Sequence, residues 1–118
     1  LKKQIIKNIS IPKNSIIFTS YALHYVQKLP DSFIDFISSF EPKIVLNFEP
    51  CYEAHDDSSY GSLCKRYIEL NDYNINMFTV LKNAHDKGLI KMKMRKNIIG
   101  GNPFLPISII EWNSLKES

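Results

Sequence analysis

Ser15-Ile16-Ile17-Phe18-Thr19-Ser20-Tyr21-Ala22-Leu23-His24-Tyr25-Val26 is the stretch that decides the fold. An apolar run, Ile16 to Thr19, breaks into small and polar residues and then into aromatics around a histidine. A near-continuous run of β-forming residues is the pattern of a parallel strand covered on both faces by helices. A second run with the same grammar, Lys43-Ile44-Val45-Leu46-Asn47-Phe48, leads into Glu49-Pro50-Cys51-Tyr52-Glu53. In open α/β sheets ligands sit beyond the carboxyl ends of parallel strands. Acid, imidazole and phenol following both strands therefore suggest one half of an active site.

Between the two runs, Pro30-Asp31 opens a helix with Asp31 or Ser32 as its cap. Phe33, Ile34, Phe36, Ile37 and Phe40 recur at helical spacing as its buried stripe. Glu41-Pro42 closes it, because the residue before a proline is biased away from helix. Strand, helix, strand is a βαβ crossover. Upstream, Leu1 to Ile9 carries Ile5, Ile6 and Ile9 on one helical face, and Ile11-Pro12-Lys13-Asn14 breaks the pattern.

Downstream the chain is less regular. Ala54-His55-Asp56-Asp57-Ser58-Ser59 reads as a loop, and Tyr60, Leu63, Cys64 and Tyr67 follow at helical spacing. Asn71-Asp72 predicts the cap of a longer helix carrying Ile75, Phe78, Leu81 and Ala84, which ends at Gly88. From Leu89 to Ile99, Ile90, Met92 and Met94 alternate with Lys91, Lys93 and Arg95, the signature of a strand with one wet face. Gly100-Gly101-Asn102-Pro103 is a turn, and Pro106 to Trp112 is a final strand. Two strands joined by so short a loop form an antiparallel hairpin.

The 118 residues make one domain at most. A net charge of +3 with scattered lysines gives no argument for nucleic acid. No apolar run approaches the roughly 20 residues of a membrane-spanning helix. Leu1-Lys2-Lys3 is followed by no secretory leader pattern, so Cys51 and Cys64 read as reduced thiols in the cytoplasm. The abrupt entry into an amphipathic pattern suggests a piece of a longer polypeptide.

The order of elements resembles the carboxyl-terminal half of a class I, Rossmann-like S-adenosylmethionine-dependent methyltransferase. That family folds as a seven-stranded sheet whose last two strands form an antiparallel hairpin. Residues 18–26 resemble its fourth-strand motif, residues 45–53 the segment closing its fifth strand, and Asn102-Pro103-Phe104 through Trp112 its last loop and strand. The resemblance spans Ser15 to Trp112. It implies an α/β fold: a partial doubly wound sheet, parallel strands followed by the hairpin, helices on both faces, and a lid insertion at residues 54–71. The family's glycine-rich cofactor loop and its ribose-binding acid have no counterpart here, and Gly100-Gly101 lies before a hairpin strand. These residues are thus expected to be the acceptor-side half, inactive alone. In the family the fourth strand pairs with the first, so the edge at Ser15 to Thr19 is expected to be covered by the missing half, by another chain or by Leu1 to Ile9.

The resemblance puts S-adenosylmethionine near Thr19, Ser20 and Tyr21, and a small-molecule or peptide acceptor near Tyr25, Tyr52 and Glu53. Methyl transfer is an in-line displacement needing alignment, and a protonated acceptor also needs a base. His24 is the candidate base, since imidazole titrates near neutrality; the alternative is a structural histidine at a helix start. Glu49 orients His24 or binds an acceptor amine, or else is a surface carboxylate. Tyr21 and Tyr25 line a pocket or simply pack. Cys51, His55, Asp57 and Cys64 match no closed zinc spacing, so no metal is expected, and His85 reads as a surface residue. Two other classes compete: a non-catalytic α/β docking or assembly module, and a hydrolase using Ser20 or Cys51, which lacks the Gly-x-Ser-x-Gly elbow.

Overall fold

The computed structural model describes residues 10–99 and 102–115. Four strands, β1 (Ile16–Ser20), β2 (Ile44–Pro50), β3 (Ile90–Ile99) and β4 (Ile107–Ser114), form one mixed sheet in the order β1-β2-β4-β3. β1 and β2 are parallel, with Ile16 opposite Ile44 and Ser20 opposite Phe48. β4 is antiparallel to both its neighbours, with Trp112 opposite Val45 on one side and Met92 on the other. The crossover from β1 to β2 contains α1 (Ser32–Ser38). Helices α2 (Ser59–Leu70) and α3 (Met77–Asp86) lie between β2 and β3.

Register assigns the two faces of the sheet, because side chains alternate along each strand. Ile17, Val45, Ile110, Trp112, Met92 and Met94 share the face that packs on Phe33 and Ile34 of α1 and Met77, Val80, Leu81 and Ala84 of α3. Val45, Ile110 and Trp112 are at most 1% exposed. The opposite face is different. Ile16 is 60% exposed and Phe18 66%, and the central Ile44, Leu46, Phe48 and Ile109 are only half-buried. The expectation that β1 is covered on both faces is therefore corrected: among the described residues the core lies on one face, and β1 hydrogen-bonds to β2 alone. The Leu1 to Ile9 helix and the Gly100-Gly101 part of the turn lie outside the described residues.

Local chemistry explains the element ends. Ser58 caps α2 by accepting from Gly61 N–H at 3.0 Å. Gly61 is required there, since a Cβ would come within 2.4 Å of the Asp56 carbonyl oxygen. The second long helix begins at Met77, later than Asn71-Asp72 suggested, because Asn74 Oδ1 caps it by accepting from Met77 N–H at 2.8 Å. Ile75 belongs to the preceding loop. Gly88 closes α3 with φ 75°, the left-handed conformation that glycine adopts without strain.

Candidate functional site

β1 and β2 run in the same direction; β1 ends at Ser20 opposite Phe48 and β2 runs on to Pro50, so the chain leaving β1 passes beside Glu49. Past β1 the chain turns at Tyr21, whose φ of 51° is unusual for a bulky residue. Its N–H still donates to Phe48 O of β2 at 3.1 Å and its hydroxyl donates to Leu105 O at 3.3 Å. A single 3-10 turn, Leu23–Tyr25, then brings His24 back over the sheet. Glu49, the penultimate residue of β2, lies on the packed face and is fully buried. Its two carboxylate oxygens accept from Ala22 N–H at 3.0 and 3.2 Å, and Oε1 lies 3.8 Å from His24 Nδ1.

The imidazole is itself only 3% exposed. Three tyrosines surround it: Tyr25 at 4.1 Å between ring centroids, Tyr73 at 4.7 Å and Tyr21 at 5.6 Å. Tyr25 forms the outer wall and is 71% exposed. Burial pushes the His24 pKa below its ordinary value, and the negative charge of Glu49 opposes that shift without reversing it. The ring is thus a neutral base at physiological pH, with Nδ1 lacking a hydrogen-bond partner among the described residues. A buried, unpartnered nitrogen is costly; His55 Nε2 and Ser38 Oγ share that state.

Residues that the sequence did not single out hold this arrangement. Asn47, fully buried, bridges three strands: its amide donates to Thr19 Oγ1 at 2.9 Å and its carbonyl accepts from Trp112 Nε1 at 2.9 Å. The loop before α3 clasps the irregular segment from His24 to Leu29. Asn74 N–H donates to His24 O at 2.8 Å, Asn74 Nδ2 donates to Val26 O at 2.8 Å, and Asn76 exchanges two hydrogen bonds with the Leu29 backbone. The signal available in the sequence was a polar residue inside an apolar strand and three asparagines in six residues (71, 74 and 76). Tyr73, from the same loop, supplies a wall of the histidine cage.

No protein-family model, curated protein or solved structure matches this chain.

The other expected site residues divide. Tyr21 and Tyr25 join His24 and Glu49 in one cluster. Tyr52 and Glu53 turn to the helices instead. Tyr52 hydroxyl donates to Glu69 of α2 at 3.2 Å, and Glu53 Oε2 accepts from Thr79 N–H at 2.7 Å and Thr79 Oγ1 at 2.9 Å, capping the first turn of α3. The segment 54–71, read as a lid, is mostly α2, whose Tyr60 hydroxyl donates to Pro103 O and whose Tyr67 hydroxyl accepts from Asn102 Nδ2 at 3.1 Å. Among the described residues no three His, Cys, Asp or Glu side chains gather as metal ligands. Asp57 pairs with Lys65 at 3.2 Å, and His85 is exposed on the last turn of α3. A cleft of about 300 Å³ opens between α1 and α3, but none of the expected site residues lines it.

Cys51 is fully buried. Burial, assisted by the nearby Glu53 carboxylate, pushes its thiol up to about 12, so no thiolate is available for the hydrolase reading. The three residues expected near S-adenosylmethionine differ in what they leave free. Thr19 Oγ1 and the Tyr21 N–H and hydroxyl are spent on internal hydrogen bonds, and only Ser20 is exposed with no such bond.

Proposed function

We propose that this chain forms the acceptor side of an S-adenosylmethionine-dependent methyltransferase acting on a small molecule or peptide. The observation that carries the reading is the meeting of His24 and Glu49 at the carboxyl ends of two adjacent parallel strands, 3.8 Å apart. The antiparallel closing pair, β3 and β4, is the ending that the resemblance implies. The left-handed backbone at Tyr21 adds support, since strained residues cluster at functional sites.

In this reading His24, held neutral by burial, accepts a proton from the acceptor's nitrogen or oxygen, and Glu49 stabilises the imidazolium that results. An acceptor gains access by displacing the exposed ring of Tyr25. Because no glycine-rich strand-to-helix turn occurs in these 118 residues, the reading requires the cofactor loop to come from other polypeptide. The test is calorimetric titration of S-adenosylhomocysteine into the product of the complete reading frame. Saturable binding is expected, with His24→Ala lowering methyl transfer roughly 100-fold at unchanged ligand affinity. No binding at millimolar ligand contradicts the proposal.

A second reading, an α/β docking or assembly module, is favoured by the open apolar face carrying Ile16 and Phe18. It expects His24→Ala and Glu49→Gln to leave biological activity intact.

A further inference from the structure

The face of the sheet opposite the core, which carries the exposed Ile16 and Phe18 among the described residues, has a graded composition. Read across the strands in register, Phe18 of β1 lies beside Leu46 of β2, then Glu111 of β4, then Lys93 of β3. The rows on either side run in the same sense and end at Lys91 and Arg95. The face is apolar along β1 and β2 and cationic along β3, with a single carboxylate, Glu111, between. Among the described residues none of the three cations stands in an ion pair. Four strands at about 4.8 Å spacing make a surface roughly 14 Å wide, which takes one helix of about 10 Å diameter with its flank against β3.

The geometry points to this face as the docking site of an amphipathic helix from another polypeptide, with an apolar stripe over β1 and β2 and acidic residues along the flank that meets Lys91, Lys93 and Arg95. Charge decides among occupants. A second copy of this chain offers the same cations, and stacking two such faces sets each β3 row against its like or against apolar β1. Residues 1–9, Leu-Lys-Lys-Gln-Ile-Ile-Lys-Asn-Ile, carry three lysines and no carboxylate. An acidic partner alone complements both halves of the surface, and it removes Ile16 and Phe18 from water. Exposed apolar patches of this kind mark interaction sites in soluble proteins. This surface lies on the opposite face of the sheet from His24 and Glu49, so its test reads different side chains from the methyl-transfer test.

The test uses the full chain and two fluorescent peptides about 18 residues long, enough to hold a helix. One has leucines at helical spacing flanked by glutamates; the other has lysines in place of the glutamates. Fluorescence anisotropy is expected to show the glutamate peptide binding at least about ten-fold more tightly, with the preference screened by salt. Phe18→Asp, at an exposed position, is expected to weaken binding by about ten-fold or more. The triple change Lys91→Glu, Lys93→Glu, Arg95→Glu is expected to reverse the preference, with circular dichroism unchanged for both variants. Absence of binding, or equal affinity for the two peptides, overturns the inference. So does self-association in the ultracentrifuge that Phe18→Asp abolishes, which assigns the face to a second copy. Binding that occurs only after deletion of residues 1–9 also overturns it, assigning the face to that segment.

Discussion

His24 Nδ1 stands 3.8 Å from Glu49 Oε1, both side chains enclosed, although a helix lies between them in sequence. The distance is too long for a hydrogen bond, so the carboxylate acts on the ring through its charge while its oxygens hold the Ala22 N–H. Adjacent parallel strands, with β2 running on past the end of β1, are what bring the two together. Fold and candidate chemistry thus stand on the same register.

Asn47 is the keystone of that register. Replacing it with alanine frees the buried indole N–H of Trp112 and the hydroxyl of Thr19 at once. An unsatisfied buried donor costs about 1–3 kcal/mol, and a cavity adds to it. Asn47→Ala is expected to lower stability in urea titration by about 2–4 kcal/mol. Thr19→Val, which removes only the outer end of the bridge, is expected to lower it by less than about 1.5 kcal/mol.

Much of this arrangement was legible before any coordinates. The runs at Ile16 and Ile44 marked the two parallel strands, and the Met–Lys alternation marked β3, because a two-residue period survives in sequence whatever the strand packs against. The convergence of His24 with Glu49 followed from the same two strands. The exposure of Ile16 and Phe18 was not legible. Their pattern is that of a strand covered on both faces, and coverage depends on what packs there, not on the strand. The Asn47 bridge was hidden for another reason: linking it to Trp112 requires knowing that the last strand inserts beside β2. The start of α3 was not legible: Asn71-Asp72 has the chemistry of a helix cap, while Asn74, three residues before Met77, does the capping.

Acid sensitivity should follow from the two buried histidines. Burial lowers the pKa of both His24 and His55 below the ordinary value of 6.5. The unfolded chain therefore binds protons first as pH falls, and native stability declines from the unfolded value downward. Stability is expected to be level above about pH 7 and to fall between about pH 7 and pH 5, before the carboxylates titrate. His55→Asn is expected to reduce that slope in urea melts at graded pH. A slope unchanged by the substitution would show that His55 contributes nothing to it.

The elevated Cys51 thiol makes a separate prediction. Native protein at about pH 8 is expected to resist iodoacetamide at Cys51, because only the thiolate reacts and a pKa of about 12 leaves almost none. In denaturant the same cysteine is expected to alkylate within minutes. Mass spectrometry of the modified peptides distinguishes the two states, and rapid native modification at position 51 would contradict the burial described.

The most direct test of the central claim, that His24 and Glu49 act as one electrostatic unit, is an NMR titration of the His24 ring in wild type and Glu49→Gln. Glutamine keeps a carbonyl for the Ala22 N–H while removing the charge that holds the imidazole pKa up. The wild-type midpoint is expected below 6.5 and the variant's lower still. A midpoint that stays the same or rises in Glu49→Gln would contradict the account.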